Sequence, residues 1–279
     1  MPTNALPLTE PLHGLQAWTD CFRNAEIPVT AATADALEAM RANEDDVDAN
    51  LIGEMVASDP LMTLKVLAYA ASRRSQRIVT ETETVTAALV MMGISPFFRA
   101  FGPQPTVEER LSDTPEALEG LRLVLRRAHR AANFALGFAV HRMDPDAAVI
   151  HGATLLHDFA EMLLWCHAPA LALRIAHEQR ADPTLRSSIV QQAVLNVELP
   201  DLQQSLMHAW RLPQLLMDIT NDRHAEHPST KSVVLAIRLA RHTAHGWDNA
   251  ALPDDVRDIG LLLNLSDAAT LELLHQLDS

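Results

Sequence analysis

Apolar positions along this chain recur at spacings of three and four residues, and no strand-length stretch alternates apolar with polar. Residues 1–20 show no such period and are expected to form a loosely held lead-in. TADALEAM (33–40) reads as a short helix that the acidic run NEDDVD (43–48) ends. ANLIGEMVA (49–57) is helical again, with Leu51, Ile52, Met55 and Val56 forming an apolar stripe. In SDPLMTLKVLAYAAS (58–72), Asp59 or Ser58 can cap a helix, and Pro60 sits where a missing N–H costs nothing. Leu61, Leu64, Leu67 and Ala68 then follow at helical spacing. TETVTAALVMMGI (82–94) predicts another helix, with Gly93 as its terminator. SPFFRAFGPQP (95–105) holds a short helical turn before Gly102–Pro103 and Pro105 stop it.

A second half begins near Thr114–Pro115, and its first long helix is expected over 116–141. MDP (143–145) repeats the Asp–Pro start signal and opens a helix over about 146–166. That segment is apolar almost all round, through Val149, Ile150, Leu155, Leu156, Phe159, Met162, Leu163 and Leu164, as a central buried helix is. Further helices are predicted near 168–180, 183–196, 200–210, 213–223 and 229–245. A tail helix over 266–277 follows an acidic LPDDVRD stretch. The fold class is all-α.

Composition agrees: aromatics are 4% of the chain and glycines number nine, which favours helices over sheets. The 279 residues suit one large domain or two small ones. Although 48% of residues are hydrophobic, no uninterrupted apolar run approaches the ~18–20 residues of a membrane span. The start, MPTNALPLTEPLHG, lacks a basic region followed by an apolar core, so a soluble cytoplasmic chain without a membrane partner is expected. Cys21 and Cys166 lie far apart, which fits a reducing compartment. A formal net charge of −14 argues against nucleic acid as a partner.

The candidate chemistry centres on GATLLHDFAEMLLW (152–165), where His157 and Asp158 stand together in an apolar segment. Such a pair serves either as half of a metal site that activates water, or as buried polar residues tied to neighbours. A metal needs several converging ligands, which two adjacent residues on one helix do not provide. Glu161, four residues after His157, can share its helix face. His224-x-x-His227 and His242-x-x-His245 have metal-like spacing but no paired Cys or acid nearby. His242 and His245 precede Gly246, where cations suit a helix end; His224 and His227 precede Pro228 in a polar loop. Arg122, Arg126 and Arg130 recur every four residues and read as a solvated or partner-facing stripe. Cys166 and His167 end a buried helix without a protease-like context, and Trp210 with Leu212–Pro213 reads as core.

An ordered series of motifs runs from Ile27–Pro28 through SDP and its apolar helix, ALVMMG (88–93), LLHD (155–158) and WRLP (210–213). This series resembles the HDOD family, the metal-dependent hydrolase-related output domain of bacterial signalling proteins. The resemblance implies a compact multi-helix HD-like domain over 27–245, with a helical N-terminal lobe to about 113 and an HD-like lobe from about 114. Residues 1–26 would be a lead-in and 246–279 a helical extension. It also implies a stand-alone member descended from HD-type phosphohydrolases, with the catalytic apparatus lost. The early His of those enzymes falls at Arg127, and His129 is about 200° away round a helix. The late Asp falls at Ile237, in a stretch (231–247) without Asp or Glu. No catalytic residue, metal or cofactor is therefore expected. Arg127, His157, Asp158, Glu161 and His224 would line a degenerate cleft, with Arg127 near Asp158 in place of the metal's charge. The expected function is a non-catalytic regulatory module that binds a protein partner or a small ligand. The alternative is a metal-dependent phosphohydrolase acting on nucleotides or cyclic nucleotides.

Overall fold

The computed structural model describes residues 7–73, 82–182, 184–221 and 226–278. Among them the fold is all-α, and the β-type pairing is a single parallel bridge between Val29 and Thr106. The helices in chain order are α1 (Gly14–Arg23), α2 (Ala31–Ala42), α3 (Ala49–Ala57), α4 (Pro60–Arg73), α5 (Val85–Met92) and α6 (Ile94–Ala100). Next come α7 (Val107–Arg110), α8 (Pro115–His141), α9 (Ala147–Leu155), α10 (Phe159–His167), α11 (Pro169–Ala181) and α12 (Ser187–Leu195). The last are α13 (Leu199–Trp210), α14 (Gln214–Ile219), α15 (Pro228–His242), α16 (Leu252–Leu263) and α17 (Asp267–Leu277). A 3-10 turn, Glu44–Asp46, precedes α3. No single helix among the described residues is long and apolar enough to cross a membrane.

The chain divides into two units. The first holds the residues up to Val124 and Asp158–Leu212; the second holds Leu125–His157 and Pro213–Ser279. One boundary therefore falls inside α8 and another between His157 and Asp158.

In the first unit, the SDP motif acts as the sequence predicts and also reaches further. Asp59 is fully buried, and its Oδ1 accepts from the N–H groups of Leu61 (2.9 Å) and Met62 (3.2 Å), capping α4. Its Oδ2 accepts from the Thr30 N–H at 2.8 Å, so one carboxylate ties the starts of α2 and α4. Lys65, one turn into α4, donates to the Ile27 carbonyl at 2.9 Å and to the Gln104 side chain, fixing the Ile27–Pro28 entry. Residues 14–20, expected as lead-in, belong to α1, where Trp18 and Phe22 are fully buried. Trp18 donates through Nε1 to the Leu195 carbonyl at 2.9 Å. Leu15, Trp18 and Phe22, spaced three and four apart, are the helical signal in that segment. The first part of α8 packs against α10 through Gly120, where a Cβ would lie 2.4 Å from the Trp165 ring.

In the second unit, α9 packs on α14 and α15, α15 on α16, and α16 on α17. Arg130 of α8 donates to the Thr243 carbonyl just past α15 (2.7 Å), and Arg142 to the Pro228 carbonyl at its start (3.2 Å). The two helices therefore run antiparallel. The acidic LPDDVRD stretch opens α16, with a proline in its first positions and Asp254 and Asp255 in its first turn. These are ordinary helix-start features.

Candidate functional site

The single helix expected over 146–166 is two helices. Leu156 ends α9 by donating its N–H to the Gly152 carbonyl, and the His157 N–H turns back to Thr154. Asp158 stands at the start of α10, where its carbonyl accepts from the N–H groups of Glu161 (3.0 Å) and Met162 (3.2 Å). His157 and Asp158 thus lie in the turn, half-buried rather than fully enclosed in a helix. The break corrects the expectation that His157 and Glu161 share one helix face. Asp158 and Glu161 have the Asp-x-x-Glu spacing that marks a helix start, a signal available in the sequence. The Asp158 side chain makes no cap bond to α10.

Arg127 is half-buried on α8, one turn before Arg130 and so towards the C-terminal end of α15. Ile237 lies in the middle of α15 and is 4% exposed, with Ala236 and Val233 buried beside it. Arg127, His157, Asp158 and Glu161 each engage a partner. His224 lies outside the described residues.

The structure adds a residue that the motif reading passed over. His151 of α9 is mostly buried, and burial, then His129 of α8, hold its pKa below the usual histidine value. Among the described residues no group of three or more His, Cys, Asp or Glu side chains is placed to hold a metal ion. With Ile237 buried and Arg127 cationic at the two positions where the family resemblance expects ligands, the described residues do not fit the metal of an HD-type hydrolase.

Of the other histidine candidates, His242 and His227 have structural partners. His242 Nδ1 lies 2.6 Å from Asp255 Oδ2, and Arg238 Nε lies 2.6 Å from Asp255 Oδ1. Asp255 is 1% exposed, so α15 and α16 are joined through one buried carboxylate. His227 caps α15 by accepting from the Ser229 N–H. Arg130 of the basic stripe is committed to Asp278, while Arg122 lies 3.7 Å from Glu108.

Cys166 and His167 are unsuited to nucleophilic chemistry. Burial pushes the Cys166 thiol up to about 12, so it stays protonated at neutral pH. Burial, then the Arg110 guanidinium, lowers His167 to about 3. His167 Nδ1 faces Arg110 Nη2 at 2.9 Å, and Arg110 Nε donates to the Cys166 carbonyl at 2.7 Å. A neutral imidazole accepting from arginine is a packing element, not a general base at pH 7. Trp210 packs its ring on Phe159 at 5.8 Å, while Leu212 and Pro213 are buried.

Two solved structures share the fold. The MmoQ response regulator of Methylococcus capsulatus is 18% identical, with 89% of this chain and 98% of that one covered at a TM-score of 0.66. A virulence factor of Campylobacter jejuni is 16% identical, with 95% and 94% covered at a TM-score of 0.63. No curated protein matches the chain at a significant level. The family profile described as the HDOD domain matches residues 27–226, and the chain belongs to the HDOD family.

Proposed function

We propose that this chain is a non-catalytic signalling module, and that Arg127, His157, Asp158, Glu161 and His224 serve recognition of a protein partner or small ligand rather than hydrolysis. The observation that carries the reading is the ligand set. Ile237 is a buried hydrocarbon where a carboxylate would be required, and Arg127 brings a positive charge where an imidazole would be required. A cation held by the His157–Asp158 turn alone would lack the convergent donors that metal binding needs. HDOD membership and the response-regulator description of the similar MmoQ structure support a regulatory role.

The test is elemental analysis of the purified chain together with turnover assays on nucleotides and cyclic nucleotides. The expected result is no stoichiometric Mn, Fe, Ni or Zn and no turnover. Stoichiometric metal that disappears together with a hydrolytic activity in His157→Ala and Asp158→Ala would establish the phosphohydrolase alternative instead.

A further inference from the structure

Helices α3 and α5 form an antiparallel pair in the first unit. A Cβ on Gly53 would meet Thr86 Oγ1 at 2.7 Å and Leu89 Cδ1 at 3.7 Å, while Glu44 before α3 bonds Ser95 after α5. The buried sides of the pair carry Ile52, Val56, Val85, Ala88 and Leu89. The outward sides are unusual for a solvated surface. Val90 is 68% exposed, Met91 60% and Leu51 45%, so two consecutive large apolar residues of α5 and one of α3 face solvent.

On the pair itself and the turn before α3, every charged side chain is acidic, while the exposed Arg99 lies beyond α5 in α6. Asp45, Asp46 and Asp48 are exposed at the end of α3 that lies level with the C-terminal end of α5, and Glu54 is exposed on α3 itself. No Lys or Arg occurs between Arg41 and Lys65, and residues 84–98 carry no charge at all.

We infer that the outer face of the α3–α5 pair docks a basic amphipathic helix supplied by another protein. An exposed apolar patch with a charged rim marks an interaction surface, and a paired-helix face accepts a third helix through anchors at i, i+3, i+4 and i+7. Methionine adapts to the shape of such anchors. Charge selects the occupant: the acidic rim attracts Lys and Arg flanking the anchors, while the net charge of −14 repels a second copy of this chain. The surface uses none of the degenerate-site residues, so it stands independently of the reading above.

The probe is a fluorescein-labelled peptide of about 18 residues, Leu on one helical face and Lys on the other, titrated against the full chain by anisotropy. Saturable binding is expected that weakens steeply from about 0.05 to 0.3 M salt. Replacing Val90 and Met91 by Ser should weaken it at least about tenfold, a loss of the size that anchor residues carry. Asp45→Asn with Asp46→Asn and Glu54→Gln should weaken it and flatten the salt dependence. Leu261→Ser, which changes a 73% exposed leucine of the second unit, should leave binding unchanged. The inference is overturned if the Val90/Met91 variant binds as tightly as the native chain, or if a shuffled Leu/Lys peptide without helical period binds equally. It is also overturned if sedimentation shows self-association that the same variant abolishes.

Discussion

Asp59 in the first unit and Asp255 in the second are both buried carboxylates, and they are held in opposite ways. Asp59 accepts from three backbone N–H groups, those of Thr30, Leu61 and Met62. Asp255 is paired with two side chains, Arg238 in an ion pair and His242 through Nδ1, each roughly a third exposed. The contrast belongs to these two acids, because cations of both units mix partner types: Lys65 reaches the Ile27 carbonyl and the Gln104 side chain, and Arg130 the Thr243 carbonyl and the Asp278 carboxylate. Backbone partners cannot swing away or titrate, so the bonds of Asp59 fix the shape of the chain at helix starts. Side-chain partners keep access to water, so those of Asp255 join neighbouring helices at a smaller net gain.

The sharpest test of that contrast is truncation of the two acids. Asp59→Ala leaves three N–H groups without their acceptor in a buried setting, and should cost about 3–4 kcal/mol in urea unfolding at pH 7. Asp255→Ala removes a buried charge whose partners can turn to solvent, and should cost about 2 kcal/mol. The cost at Asp255 should shrink as salt rises, while that at Asp59 should not. If Asp255→Ala proves the more damaging, the distinction between backbone and side-chain anchoring fails.

These two acids also mark what a sequence reveals. Asp59 is legible because a cap, a proline and an apolar period follow one another within a few residues. Its bond to Thr30 is not, because it joins segments 29 residues apart. Asp255 reads only as part of an acidic stretch, since its partners lie on another helix whose rotation no local pattern fixes. That stretch starts a helix, which Pro253 with two following acids could have signalled. The turn at His157–Asp158 escaped because the apolar period runs on through Leu155, Leu156 and Phe159 with no proline at the break, which masked the Asp158-x-x-Glu161 start signal. Ile237 was legible through family motifs alone, and its burial accords with a hydrocarbon role.

Acid should act on both units next. His167 titrates at about 3 when folded, against about 6.5 for a free histidine. The unfolded chain therefore binds a proton below pH 6.5 that the folded chain refuses. Stability present above pH 6.5 is lost as pH falls, by about 1.4 kcal/mol per pH unit at most. His167→Gln keeps an acceptor for Arg110 and should remove about 1 kcal/mol of the drop between pH 6.5 and 5.5. His151 in the second unit is shifted in the same direction, so His151→Gln should also flatten the profile. A profile unchanged by His167→Gln would place the acid sensitivity elsewhere.

The smallest effect is expected at the partly exposed pair of Arg130 and Asp278. Arg130 holds both oxygens of Asp278 at 2.5 Å, and Trp247 donates to the same carboxylate at 3.1 Å. The hydrogen bond from Arg130 comes first in holding the Asp278 pKa below the usual carboxylate value, so this contact persists at pH 5, where His167 is already unfavourable. Its contribution disappears only as the pH falls through the depressed value. Arg130→Met keeps an apolar stem against Phe134 and Trp247 but loses the fork, and should cost about 1 kcal/mol or less. Because α17 is the element that Asp278 anchors, the loss should appear as faster amide exchange from Thr270 to Leu277, with little change at the Asp59-capped start of α4. Equal acceleration at both places would mean that the pair supports the whole fold, and that its side-chain bonds matter as much as the backbone bonds of Asp59.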